Sequence, residues 1–161
     1  LKGEEVEEVQ LPVVDLPVDA YIPESYIRPE AQRIFFYKKM AAAKSAAEVR
    51  QVQEELEDRF GDPPRQVWNM LAVLRLRMRA NELGIASIST EKRQIVIRFA
   101  PGFRLVSDVV KELARANKRH WFQADLVRVN PEGPRVINLV EEMVESVGKG
   151  LRASRKKMEL A

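Results

Sequence analysis

Four prolines between Leu11 and Pro29 (Pro12, Pro17, Pro23 and Pro29) constrain this chain more than any other feature. Each fixes φ and biases the preceding residue toward extended backbone, so no continuous helix can form there. Yet Val14, Leu16, Val18, Tyr21, Ile22, Tyr26 and Ile27 lie between them, too many apolar side chains for a free linker. The segment is expected to run as an extended strap laid across a domain built by the residues that follow.

Downstream the pattern is helical. Pro29 suits the first helical position, and Ala31, Ile34, Tyr37 and Ala41 recur at helical spacing, with Phe35, Phe36 and Met40 widening the apolar surface. Phe35, Phe36 and Tyr37 could mark a partner site, but the core is the expected place for them, because a small domain needs large side chains to bury enough area. Ser45-Ala46-Ala47-Glu48 is a capping box, and the helix it opens carries Val49, Val52, Leu56 and Phe60 as one stripe. Gly61 supplies a C-terminal cap, and Asp62-Pro63 is expected to restart as N-cap and first helical residue. The third helix runs to about Leu83. Val67, Leu71, Leu74 and Met78 share one face and Trp68, Ala72, Leu76 and Ala80 the next, as in a central helix closed by Gly84.

After Gly84 the period changes. Ile95, Ile97 and Phe99 alternate with Val96 and Arg98, and Ile85–Thr90 precedes them across Glu91-Lys92-Arg93, which predicts a hairpin. Ser107 is expected to cap a helix bearing Val109, Val110, Leu113 and Ala114. Ala124–Val129 alternates again before the turn Asn130-Pro131-Glu132-Gly133-Pro134. Ile137, Val140, Val144 and Val147 predict a closing helix, with a stop at Gly148. The expected fold is α+β: a strap and a three-helix unit, then a small sheet carrying two further helices.

Charge divides the ends from the middle. Residues 1–12 contain Glu4, Glu5, Glu7 and Glu8 and predict an acidic linker; residues 13–148 form the domain; residues 149–161, with Lys149, Arg152, Arg155, Lys156 and Lys157, predict a solvated basic tail. No apolar run approaches the roughly 20 residues that span a bilayer, and the acidic start is unlike a leader peptide. A cytoplasmic location is expected, and the absence of cysteine fits a reducing compartment. The start at Leu1 rather than Met reads as a segment excised from a longer protein.

Several classes of chemistry lack their residues. There is no Gly-x-x-x-x-Gly-Lys-Ser/Thr loop to cradle phosphate, and the seven glycines are not clustered as a dinucleotide site requires. The single histidine, His120, cannot hold zinc without further nitrogen or thiolate ligands; beside Trp121 it could shuttle protons, but a place at the surface or a strand edge is expected. No catalytic residue, cofactor or metal site is therefore expected in this segment.

Recognition is the remaining possibility. On a wheel advancing ~100° per residue, Val52, Leu56 and Phe60 fall within about 60° of Val49, Glu55 lies about 120° away, Asp58 roughly opposite, and Arg59 at about 80°. Glu55 and Asp58 are thus neighbours on an exposed face that Arg59 flanks. A competing reading places nucleic acid against Arg65, Arg75, Arg77 and Arg79 of the third helix and the basic tail. Against it, Arg77 points away from Arg75 and Arg79, and no stacking strand accompanies them.

The strap Val14–Ile27 and the block Glu54–Gly61 together resemble the C-terminal (TRCF) domain of the bacterial transcription-repair coupling factors, the Mfd family of ATP-driven DNA translocases that remove stalled RNA polymerase. The likeness runs from about Val13 to Val147. It implies a non-catalytic regulatory domain that clamps the UvrB-like N-terminal domain of the same protein. The clamp would mask the UvrA-binding surface and restrain the motor in transcription-coupled nucleotide excision repair. RNA polymerase and DNA would be met through other domains. The resemblance places Glu55, Asp58 and Arg59 in the partner interface, while Phe60 and Gly61 are read as core and cap.

Overall fold

A computed structural model describes residues 11–161. The expected acidic linker, residues 1–12, therefore lies almost wholly outside the described residues. The chain forms β1 (Val13–Val14), α1 (Glu30–Ala42), α2 (Ala46–Phe60), α3 (Arg65–Leu83), β2 (Ile85–Glu91), β3 (Gln94–Phe99), α4 (Ser107–Ala116), β4 (Trp121–Phe122), β5 (Leu126–Val129) and α5 (Val136–Glu159). The fold is α+β, as the change of period predicts.

The sheet has the order β1-β2-β3-β5-β4. β2 and β3 form an antiparallel hairpin, with Ile88 opposite Ile97 and Glu91 opposite Gln94, and Lys92 and Arg93 turn at φ 48° and 67°. Two positive φ values in a two-residue loop define the type I′ turn, whose twist matches that of the strands. β5 pairs with β3 and β4 with β5, both antiparallel, whereas β1 joins β2 in parallel.

Two apolar clusters fill the interior, and α3 is the wall between them. Val67, Leu71 and Met78 face the helical unit, where Phe36, Met40, Val49, Val52 and Leu56 are buried. Leu76, Ala80 and Leu83 face the sheet, against Ile88, Ile97, Val127, Val140 and Val144. The wide apolar surface read from the sequence is that of a helix packed on two sides.

The strap crosses both clusters. Leu16 packs against the sheet cluster, and Ile22 and Ile27 sink into the helical one. Its backbone is held by hydrogen bonds: Asp15 N–H donates to Ile88 O (2.8 Å), Arg77 Nε to Pro12 O (3.0 Å), Asn69 Nδ2 to Asp19 O (2.8 Å), and Ile22 N–H to the Tyr37 hydroxyl (2.7 Å). Such bonds satisfy the polar groups that a buried irregular segment would otherwise strand.

Three local expectations are corrected. α3 starts at Arg65 with Pro64 as its cap residue, not at Asp62-Pro63, because Pro64 excludes the residue before it from helical backbone. α4 is preceded by Val106 as cap residue, Ser107 is its first helical residue, and no side chain caps it. α5 does not stop at Gly148 but continues to Glu159, with Gly148, Gly150, Leu151 and Ser154 all buried. A Cβ at Gly148 would lie 2.7 Å from Leu83 Cδ1, and one at Gly150 within 3.1 Å of Leu105 and Val109 side-chain carbons. These glycines let α5 press against its neighbours rather than ending it. Residues 149–159 are helix, not a free tail. Among the described residues no helix is long and apolar enough to cross a membrane.

Candidate protein-interaction surface on α1 and α2

α2 presents the charged residues singled out by the sequence. Its start is capped as the Ser45–Glu48 pattern requires: Glu48 N–H donates to Ser45 Oγ at 3.2 Å. The Glu48 carboxylate accepts from Lys44 N–H, one residue earlier than the capping-box pattern predicts. Val49, Val52 and Leu56 are buried and Phe60 is half-buried, so the stripe faces inward. Gly61, at φ 82°, donates its N–H to Glu57 O at 3.0 Å and ends the helix. The Tyr26 hydroxyl reaches from the strap to Leu56 O (3.1 Å) and Gly61 O (2.8 Å), fixing this end of α2 against the body.

On this rigid helix Glu55 and Arg59 form an i,i+4 pair, Arg59 Nη1 lying 3.4 Å from Glu55 Oε1. The other carboxylate oxygen, Oε2, accepts from Lys39 Nζ of α1. Chiefly because of that Lys39 bond, Glu55 titrates below its ordinary carboxylate value. The Arg59 guanidinium also lies over the rings of Phe36 (5.4 Å) and Phe60 (5.2 Å), and Lys39 Nζ over Phe35 (5.6 Å). Stacking of this kind orients the cations at low entropic cost. Asp58 is exposed, and no ion pair among the described residues engages it. Glu55 and Arg59 are therefore brought together, while Asp58 stands apart as an uncompensated carboxylate.

Sequence reasoning missed Lys39, because it approaches from a different helix, and it placed Phe35 in the core. It also misplaced α1. The buried residues are Phe36, Met40 and then Ala43 in the following loop, while Ala31, Ile34, Tyr37 and Ala41 face solvent. Of the three aromatics expected in the core only Phe36 is fully buried; Phe35 is 50% exposed.

The basic flank of α3 is occupied within the fold. Arg75 donates to Gln53 Oε1, Arg77 to the strap, and Arg79 to Glu82 Oε2 (2.9 Å) and Glu145 Oε2 (2.9 Å). Those carboxylates hold Arg79 well above the usual guanidinium range. Arg65 lines a cleft of about 570 Å³ together with Asp19, Asn69 and Arg135. His120 is half-buried before β4, and its Nδ1 accepts from Asn130 N–H at 3.1 Å. Among the described residues no three His, Cys, Asp or Glu side chains gather as a metal site would require.

Comparison with known proteins agrees with this architecture. The chain is 39% identical over 88 residues to the transcription-repair-coupling factor of Mycobacterium bovis, which covers 55% of the chain and 7% of that protein. It is 36% identical over 87 residues to that of Escherichia coli, covering 54% and 8%, and 27% identical over 116 residues to that of Buchnera aphidicola, covering 72% and 14%. The chain thus spans 7% to 14% of the length of these relatives. A crystal structure of the C-terminal domain of a transcription-repair coupling factor superposes with a TM-score of 0.71 at 21% identity, over 91% of this chain and 95% of that one. That likeness shows a shared fold over most of the chain. The sequence model of the TRCF domain matches residues 16–107, from the strap to the start of α4, and the chain belongs to the TRCF domain family of transcription-repair coupling factors.

Proposed function

We propose that this domain is the regulatory clamp of a transcription-repair coupling factor. It holds the UvrB-like N-terminal domain of the same protein, masks the surface that recruits UvrA, and restrains the ATP-driven DNA translocase until repair of a transcribed strand begins. In this reading the segment contributes no catalytic group; the motor and the contacts to RNA polymerase and DNA belong to other domains, and the protein works in the cytoplasm. One observation carries the reading: Glu55, Asp58 and Arg59 stand on a helix fixed at both ends, with Asp58 free and Arg59 held in place by two aromatic rings. Pre-oriented charges of this kind suit charge-assisted pairing with a basic partner, and such contacts can open without unfolding either side.

The test is made in the full-length protein with Glu55→Lys and Asp58→Lys together. UvrA affinity and basal ATP turnover are expected to rise, because two carboxylates facing a basic partner become repulsive. The isolated domain should stay folded with a modest fall in melting temperature, since neither side chain belongs to the buried stripe while Glu55→Lys exchanges surface pairs with Lys39 and Arg59 for repulsion, a loss of about 1 kcal/mol. Wild-type UvrA affinity in a folded double variant would reject the clamp.

A further inference from the structure

Where α4 begins and α5 ends, the fold leaves a furrow with an apolar floor. Two stretches of it, of about 580 Å³ and about 280 Å³, meet at Arg104 and Met158, which line both. Phe103, Leu105, Val106, Val110, Leu151 and Met158 form the floor; Leu105 and Leu151 are buried, and Met158 is 39% exposed. Along the rim stand Arg104, Lys111 and Arg155, all exposed, and among the described residues no carboxylate lines the furrow. Neighbouring acids do not cancel this charge. Glu159 makes one exposed i,i+4 pair with Arg155 at 3.4 Å, a weak contact. Asp108 and Glu112 each lie about 160° around α4 from Val110. Asp125 is exposed beside Ala124, against Arg152, Lys156 and Lys157 on the last turns of α5.

Such a furrow fits a segment that is both acidic and apolar, and the chain holds one. Residues 1–10 carry Glu4, Glu5, Glu7 and Glu8 against the single cation Lys2, with Val6 and Val9 set among the carboxylates. Residues three apart share one side of a helix and of a three-per-turn extended chain alike, so Val6 and Val9 can meet one floor together. The described chain also begins beside the furrow. β1 runs parallel to β2 with Val13 opposite Ser87, which brings Leu11, two residues earlier, toward Ile85. Gly84, just before Ile85, packs on Phe103: a Cβ there would lie 2.2 Å from the ring. Ten residues reach roughly 33 Å when extended, whereas residues 151–158 of α5 cover only about 11 Å. Each exposed ion pair is weak, but a short tether supplies an effective concentration in about the millimolar range, so weak contacts suffice.

We infer that residues 4–9 dock in this furrow, with Val6 and Val9 on its floor and the glutamates against Arg104, Lys111 and Arg155. The chemistry favours this segment over nucleic acid. Phosphates would engage the rim and leave the floor wet, and Phe103, the one ring in the lining, is half-buried rather than open to a stacking base. Docking fixes the direction from which the chain enters the strap, and it is independent of the clamp on α1 and α2.

The chain has no cysteine, so Lys2→Cys gives a single attachment point for a nitroxide, outside the docking residues. In the isotope-labelled 161-residue chain, the amide signals of Phe103, Arg104, Lys111 and Arg155 should lose intensity relative to the reduced, diamagnetic label. Those of Lys92 and Arg93, at the opposite end of the β2–β3 hairpin from Ile85 and Phe99, should keep theirs. The loss should persist when this chain is diluted into unlabelled chain without nitroxide. Arg104→Glu with Arg155→Glu should abolish it, and adding Glu5→Arg with Glu8→Arg should restore it, a rescue that misfolding could not give. Val6→Ser with Val9→Ser should also remove most of it. Full-strength furrow signals in the parent chain, a loss that disappears on dilution, or a loss shared equally by Lys92 and Arg93 would overturn the inference. The first leaves the furrow without this occupant, the second gives it to a second copy, and the third reduces the contact to unspecific attraction.

Discussion

Ser154 shows how much one side chain can hold. It is fully buried on α5, and its Oγ accepts the Val106 N–H at 3.0 Å, at the start of α4, where no side chain of α4 itself caps the helix. Ser154→Ala strands that amide, and chemical denaturation should show a loss of about 1–3 kcal/mol. His120 adds a pH dependence. Burial, the leading cause, pushes its imidazole below the ordinary 6.5, and its Nδ1 is an acceptor in the fold. A protonated ring has only donors and loses that bond. The unfolded chain therefore takes up the proton at a higher pH than the folded one. Stability is full above about pH 6.5 and declines as the pH falls through the unfolded value toward the folded one. Melting curves between about pH 7.5 and 5.5 should show this decline, and His120→Gln should flatten it.

Among the elements, the β2–β3 hairpin and α5 make opposite predictions. Lys92 and Arg93 occupy left-handed backbone that disfavours L side chains. Lys92→Asn with Arg93→Gly should raise stability by about 0.5–1 kcal/mol, read as a shift in denaturation midpoint at constant slope. Truncating α5 after Gly148 removes buried Leu151 and Ser154 and should cost more than about 2 kcal/mol. From sequence alone that cut looks harmless, because a glycine followed by a basic run has the signature of a helix end. What the signature cannot carry is the closeness of Leu83, which makes a missing Cβ at position 148 an asset of packing. α1 misleads for a related reason. Periodicity locates an apolar face only when the other faces are polar, and here Ala31–Ile34–Tyr37–Ala41 and Phe36–Met40 both fit a helix. The stripe of α2 and the strand alternation were legible because their opposite faces are charged or polar. At the surface site, the Glu55–Arg59 pair is visible in spacing alone, whereas Lys39 becomes its partner only once α1 and α2 pack.

Across the molecule, the helical and sheet clusters share α3 and the strap, and neither can lose its packing without exposing the wall they have in common. They should therefore unfold as one unit. The two tryptophans allow a direct check, since Trp68 packs with the helical cluster and Trp121 lies on edge strand β4. In Trp68→Phe and Trp121→Phe, each with one remaining indole, fluorescence curves against denaturant should give the same free energy at zero denaturant after correction for each substitution. Separate transitions would show two independent units.

The strap also sets how this domain answers a pull. Tension applied to the chain ahead of Val13 reaches first the Arg77–Pro12 bond and the short parallel pairing of β1 with β2, then Leu16, and only later the deeply buried Ile22 and Ile27. In a single-molecule stretching experiment with the handle at residue 11, a small early lengthening should precede rupture of the body. The segment thus behaves as a mechanical fuse, yielding slack before the surface on α1 and α2 is disturbed.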